Sequence, residues 1–217
     1  MNTEQARFNM IEQQIRPWDV LDPAVLSLLT VVKREDFVPA AYRSLAFVDT
    51  EVPLPAGQCM LAPRVEARML QELNVHKHER VLEVGAGSGY MAALLAHRAQ
   101  HVTTLEIVPE LARMASDNLR RAAVVNARVV EADGSRGFPT EAPFDAIMLS
   151  GSVAEVPQGL LGQLKVGGRL IAIVGQQPVM RCTLVTRSGE HAFASVDLFD
   201  TVAPRLSGFD EPPKFRF

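Results

Sequence analysis

Acidic side chains and glycines recur just where apolar runs end. Glu83 lies within the run Val81-Leu82-Glu83-Val84, and Gly85, Gly87 and Gly89 follow, with Ser88 between the last two and Tyr90 opening an amphipathic stretch. Glycine allows positive φ and close backbone approach. A turn of this kind after the first strand of an open α/β sheet is where such sheets bind ligands. The dinucleotide fingerprint is G-x-G-x-x-G. Here the third glycine comes one residue early and Tyr90 holds its place. A carboxylate at Glu83 suits a cationic ligand group better than a pyrophosphate. Glu106, with Ile107 after it, ends a second apolar run and is placed to accept both ribose hydroxyls of a nucleoside. Asp133-Gly134 follows a third run, where an acid can meet an adenine amino group. An adenosyl ligand with a positive charge and no phosphates fits this set: S-adenosyl-L-methionine. Glu106 alone also reads as a solvated strand end, and one glycine turn is common. All of these features in order within one βαβαβ frame are much harder to produce by packing.

The elements that must position these residues follow from periodicity. Short aliphatic runs appear at RVLEV, HVTTLE, ARVVEA, FDAIMLS and GRLIAIVG, separated by the helical stretches GYMAALLAHRA, PELARMASDNLRRAA and VPQGLLGQL. Strands alternating with helices predict a parallel, doubly wound sheet, and the unbroken apolar strands predict burial on both faces. CTLVTR and FASVDLFDTV read as an antiparallel edge pair, and the tail SGFDEPPKFRF as irregular. The first fifty residues read as helical. Phe8, Ile11 and Ile15 are spaced for one helix face that Pro17 stops. Asp22 then caps a second helix with Pro23 at its first position, and Pro39 closes that segment. The expected organisation is one domain over 1–217: an N-terminal helical and pocket segment, 1–63, and an α/β core, 64–217.

Bulk properties narrow the function classes. The chain has 217 residues, 47% of them apolar, enough for a sizeable core. No apolar run approaches the roughly 20 residues of a membrane span. The opening residues are polar and mixed in charge, unlike a signal or transit peptide. With a net charge of −3 and no long basic run, a nucleic-acid partner is not expected. Cys59 and Cys182 lack metal-type spacing and read as free thiols of a reduced, cytoplasmic protein. His76 and His78 have no Cys or acidic pair to complete a metal site, and a solvated loop is the simpler reading.

The motif VLEVGAGSGYMAALLA resembles the first motif of the protein-L-isoaspartate O-methyltransferase family, V-L-E-I-G-T-G-S-G-Y. VLSLLTVVKREDFVP, FVDTEVPLPAGQ, EADGSRGFP and FDAIMLSGSVAEVPQGLLGQLKVGGRLIAIVG resemble further family segments, so the likeness covers most of the chain. It implies a Rossmann-like, class I S-adenosylmethionine-dependent methyltransferase sheet, doubly wound, with extra N-terminal helices. The implied activity is methyl esterification of isoaspartyl carboxylates in damaged proteins. The implied cofactor residues are Glu83, Gly85, Gly87, Ser88, Gly89, Tyr90, Glu106, Ile107, Asp133 and Gly134.

The chain departs from the family at its pocket segment, G-Q-T-I-S-x-P. Gly57, Gln58 and Pro63 are retained, but Cys59, Met60 and Leu61 stand in the Thr, Ile and Ser slots, and Pro55 replaces a preceding glycine. Gln58, Cys59 and Leu61 are the expected pocket positions, without the family hydroxyls. A hydrogen bond to a charged group contributes about 1.5–3 kcal/mol, so losing both hydroxyls is costly unless other donors, Arg64, Ser150 or Ser152, hold the carboxylate. Arg64 also reads as a surface charge, and Cys59-Met60-Leu61 as packing beside the cofactor. The alternatives are a less polar small-molecule acceptor and a protein that binds S-adenosylmethionine without turnover.

Overall fold

The computed structural model describes residues 2–210. The chain begins with α1, Thr3–Met10, capped by the Asn2 side chain. It widens into a π turn over Ile11–Ile15 and tightens into a 3-10 turn over Arg16–Trp18. Pro17 therefore does not stop the helical path. It has no N–H to give, and the widened turn before it absorbs the loss; left-handed Asp19 ends the path instead. The buried face also differs from the expected one. Phe8 is 57% exposed, while Ile11 and Ile15 are buried with Met10 and Arg7. Arg7 is drawn inward by an ion pair with Glu35. α2, Pro23–Val31, starts as expected, with Asp22 accepting from Ala24 N at 2.8 Å. It ends at Val32, well before Pro39, because Val32 is already extended.

Two short strands, β1 (Val52–Pro53) and β2 (Cys59–Met60), pair antiparallel. α3, Pro63–Leu73, follows. Then come β3 (Arg80–Val84), α4 (Tyr90–Arg98), β4 (His101–Glu106), α5 (Pro109–Arg121) and β5 (Ala127–Glu131). The second half comprises β6 (Phe144–Val153), α6 (Gln158–Leu161), β7 (Leu164–Gln176), β8 (Val179–Arg187) and β9 (Phe193–Asp200). α6 is only four residues long, shorter than the stretch VPQGLLGQL predicts, because Gly159 and Gly162 weaken it.

The seven strands form one sheet in the order β5-β4-β3-β6-β7-β8-β9. β5 to β7 are parallel and β8 and β9 antiparallel, as the edge-pair expectation has it. Winding reverses at β3, which puts the topological switch point at its C-terminal end, where Gly85 lies. Core side chains fill both faces. Val81, Ala146 and Met148 face the N-terminal helices, α3 and α4; Leu82, Val84, Ile147 and Leu149 face α6. Period-2 alternation therefore sends Glu83, between Leu82 and Val84, to the side of the N-terminal helices. His76 and His78 lie exposed in the turn before β3. Of the C-terminal tail, Ser207 and Gly208 form a turn and Phe209 a bend; residues 211–217 lie outside the described residues.

Candidate active site

The glycine turn is tied to β4 at both ends. Gly85 N and Ala86 N donate to Leu105 O at 2.9 and 3.2 Å. Gly87 N donates to one oxygen of Glu106 at 2.8 Å, and Val108 N to the other at 3.0 Å. Glu106 is thus clamped by two backbone donors, and each of its oxygens keeps a lone pair for a hydroxyl. Gly89 has φ +84°, and a Cβ there would sit 3.1 Å from Ala115 O, so glycine lets α4 start against α5. Gly85, at φ +93°, leaves room for Leu206, whose Cδ2 would lie 2.9 Å from an added Cβ.

Glu83 is fully buried. Its Oε1 accepts from Ser150 Oγ at 2.7 Å, while Oε2 is buried with no partner. Burial pushes its carboxyl up to about 7, opposed by the Ser150 and Thr104 hydroxyls and reinforced by Glu106 and Glu66; Thr104 lies near the carboxyl without making a well-formed hydrogen bond to Oε2. A buried carboxylate oxygen without a donor is costly. A ligand ammonium is the partner it lacks, so the residues present fit the amino-acid end of S-adenosylmethionine. Next to this, Gln58, Glu106, Ile107 and Gly134 line one cleft with Leu206 and Ser207. Asp133 is set apart: it borders the neighbouring groove with Phe209, and its carboxylate accepts from Ser135 N at 2.9 Å.

A second, adjoining cleft is lined by Cys59, Met60, Leu61, Ser88 and Tyr90 together with Glu66 and Glu83. Cys59 borders both clefts, and Leu61 faces the second one. Burial first, then Glu51, pushes the Cys59 thiol up to about 12, so it stays protonated and is a poor donor. Arg64 pairs with Asp49 and stacks at 4.2 Å over Trp18. Ser150 donates to Glu83, and Ser152 Oγ to Ala203 O at 2.9 Å. All three candidate replacements for the missing hydroxyls are already engaged.

A protein-family model described as protein-L-isoaspartate(D-aspartate) O-methyltransferase matches residues 5–201. A protein-L-isoaspartate O-methyltransferase of Methanoculleus marisnigri is 42% identical over 184 residues, 84% of each chain. One of Rhodopseudomonas palustris is 42% identical over 192 residues, 88% of each chain. The chain belongs to the protein-L-isoaspartate O-methyltransferase family. Among solved structures, a Plasmodium falciparum protein of this description, in complex with S-adenosyl-L-homocysteine, superposes with a TM-score of 0.78 at 22% identity. It covers 94% of this chain and 97% of that one, and shows the shared Rossmann-like methyltransferase fold.

Within this protein-L-isoaspartate O-methyltransferase scaffold, some site residues had no place in the sequence reading. Glu66 had a usable signal: it is an acid on the buried face of α3 among Val65, Ala67, Met69 and Leu70. Arg34 had the same one, a charge beside Val32 and Phe37. Leu206 and Ser207 had none. They reach the cleft because Ser152 N donates to Pro204 O and Leu206 N to Ser152 O, at 2.8 and 2.9 Å, a return with no local pattern.

Proposed function

We propose that this protein, an enzyme of the protein-L-isoaspartate O-methyltransferase family, transfers a methyl group from S-adenosyl-L-methionine to the free carboxylate of isoaspartyl residues in proteins. The observation that carries the reading, in a chain of this family, is the glycine turn flanked by two differently prepared acids. Glu83 offers an unpartnered oxygen to an ammonium, and Glu106 is held by backbone donors with lone pairs to spare. In this reading Gly85, Gly87, Ser88, Gly89 and Tyr90 form the cradle, Ile107 and Gly134 line the nucleoside, and Asp133 closes its outer end. Gln58, Cys59 and Leu61 line the transfer pocket, and 1–63 and 64–217 act as one methyltransferase domain. When bound, S-adenosylmethionine supplies an electrophilic methyl group. The acceptor carboxylate is already ionised near neutral pH, so no general base is required. The apolar lining of Met60 and Leu61 keeps water away, which favours the union of an anion with a cation. What remains is alignment. Two free thiols support a reducing, cytoplasmic setting; among the described residues, no helix is long and apolar enough to cross a membrane.

One observation favours a second reading, a less polar acceptor: the pocket segment carries Met60 and Leu61, and Arg64, Ser150 and Ser152 are engaged elsewhere. Labelled S-adenosylmethionine, an isoaspartyl peptide and its aspartyl control separate the two. Base-labile label on the isoaspartyl peptide alone is the expected result. Intact cofactor binding with no label on either peptide would refute the isoaspartyl assignment.

A further inference from the structure

Helix α3 buries one acid on an otherwise apolar face. Glu66 is 5% exposed, and its carboxylate pairs with Arg34, which is 1% exposed. The same guanidinium donates to Leu61 O at 2.7 Å and lies 5.2 Å from the centre of the Tyr90 ring. Arg34 therefore ties Glu66 to the pocket segment. Glu66 itself lines the cleft that Leu61 and Glu83 also line.

The charge balance of that cleft is one-sided. Among the described residues lining it, the charged ones are Glu66 and Glu83; Arg34 stands behind, its two terminal nitrogens occupied by Glu66 and Leu61 O and its Nε buried without a partner. The Ser150 hydroxyl is spent on Glu83. The wall thus presents charged hydrogen-bond acceptors to whatever enters, and no unpaired cation. Glu83 lies under the glycine turn, on the cofactor side. Glu66 lies in the first turn of α3, the helix that follows Cys59, Met60 and Leu61.

We propose that Glu66 is a specificity-determining residue for the acceptor, taking a hydrogen bond from an N–H group beside the carboxylate to be methylated. This rests on the isoaspartyl reading of the same site, in which that donor is the amide N–H of the isoaspartyl residue itself. Holding the acceptor by its N–H leaves its carboxylate free to face the methyl group, and no hydroxyl at positions 59 and 61 is needed. Arg34 is the positioning residue: it holds the carboxylate by an ion pair, and its charge opposes the burial that pushes the Glu66 carboxyl up to about 7.

Two peptides test this, an isoaspartyl peptide and the same peptide N-methylated at the isoaspartyl nitrogen. Binding to the S-adenosylhomocysteine complex is measured by calorimetry, and methyl transfer alongside. Wild type should prefer the N–H peptide at least about tenfold, the size of one hydrogen bond to a charged group. Glu66→Gln, which keeps one acceptor oxygen, should show a reduced preference. Removing one member of a buried pair endangers folding, so the deciding variant is the double replacement R34M/E66M. It should lose the preference, with the change in KM rather than kcat, while S-adenosylhomocysteine affinity is kept. A double variant that still discriminates would make the pair merely structural and overturn the proposal. Weakened S-adenosylhomocysteine binding would overturn it too, by assigning Glu66 to the cofactor. Wild type that methylates both peptides equally sinks this inference alone; wild type that binds neither peptide sinks the isoaspartyl reading along with it.

Discussion

Replacing Glu83 by Gln tests the cofactor half of the site most directly. Burial lifts the Glu83 carboxyl from its ordinary 4.5 to about 7. To meet a ligand ammonium it must be ionised, so below pH 7 binding has to expel a proton. The apparent dissociation constant then scales as 1 + 10^(pKa − pH), and between about pH 7.5 and about pH 5.5 affinity should weaken roughly 25-fold. S-adenosylhomocysteine titrated calorimetrically in two buffers of different ionisation enthalpy reads both the affinity and the released proton. E83Q should bind more weakly at pH 7.5 and show little dependence on pH. The ligand-free protein gives an independent sign. Between pH 4.5 and pH 7 the native state holds a proton on Glu83 that the unfolded chain has lost, so stability falls as pH rises through that window. The Glu83 share of the fall is about 3 kcal/mol at most, and E83Q should lack it in denaturant titrations. Wild-type affinity that stays constant over this pH range, or E83Q binding as tightly as wild type at pH 7.5, would refute the reasoning.

Three further outcomes follow from the geometry. Glu106→Ala removes the acceptor for Gly87 N and Val108 N as well as the nucleoside contact, and should weaken S-adenosylhomocysteine binding by about a hundredfold or more; calorimetry checks this. Arg34→Met leaves Glu66 buried without its cation and should destabilise the fold by about 3–5 kcal/mol, with R34M/E66M recovering most of it in urea titrations. Restoring hydroxyls with C59T/L61S should raise kcat/KM on an isoaspartyl peptide about tenfold, measured by base-labile label.

The sheet was legible where local pattern and burial agree. RVLEV and HVTTLE match β3 and β4 residue for residue, because runs buried on both faces have abrupt edges. The glycine turn was legible because its positive φ values admit few other residues. The N-terminal face was misread because Arg7 is buried through Glu35, a partner 28 positions away that no helical period reveals. Glu106 was read as an acid ending a strand beside the glycine turn, but not as a brace for that turn, since this depends on which backbone amides fall beside it. At the pocket, sequence left it open whether Leu61 faces the cleft; it does, buried on the cleft wall with its carbonyl held by Arg34, a partner 27 positions away.

Leu206 carries one more consequence. It lies beyond the last strand of the sheet, yet it packs on Gly85, at the end of the central strand. The wall of the cleft beside Glu106 is therefore closed by a segment synthesised long after its floor. A chain that has assembled every strand but stops short of Leu206 still lacks that wall, so the cleft is finished by residues outside the sheet that carries its floor.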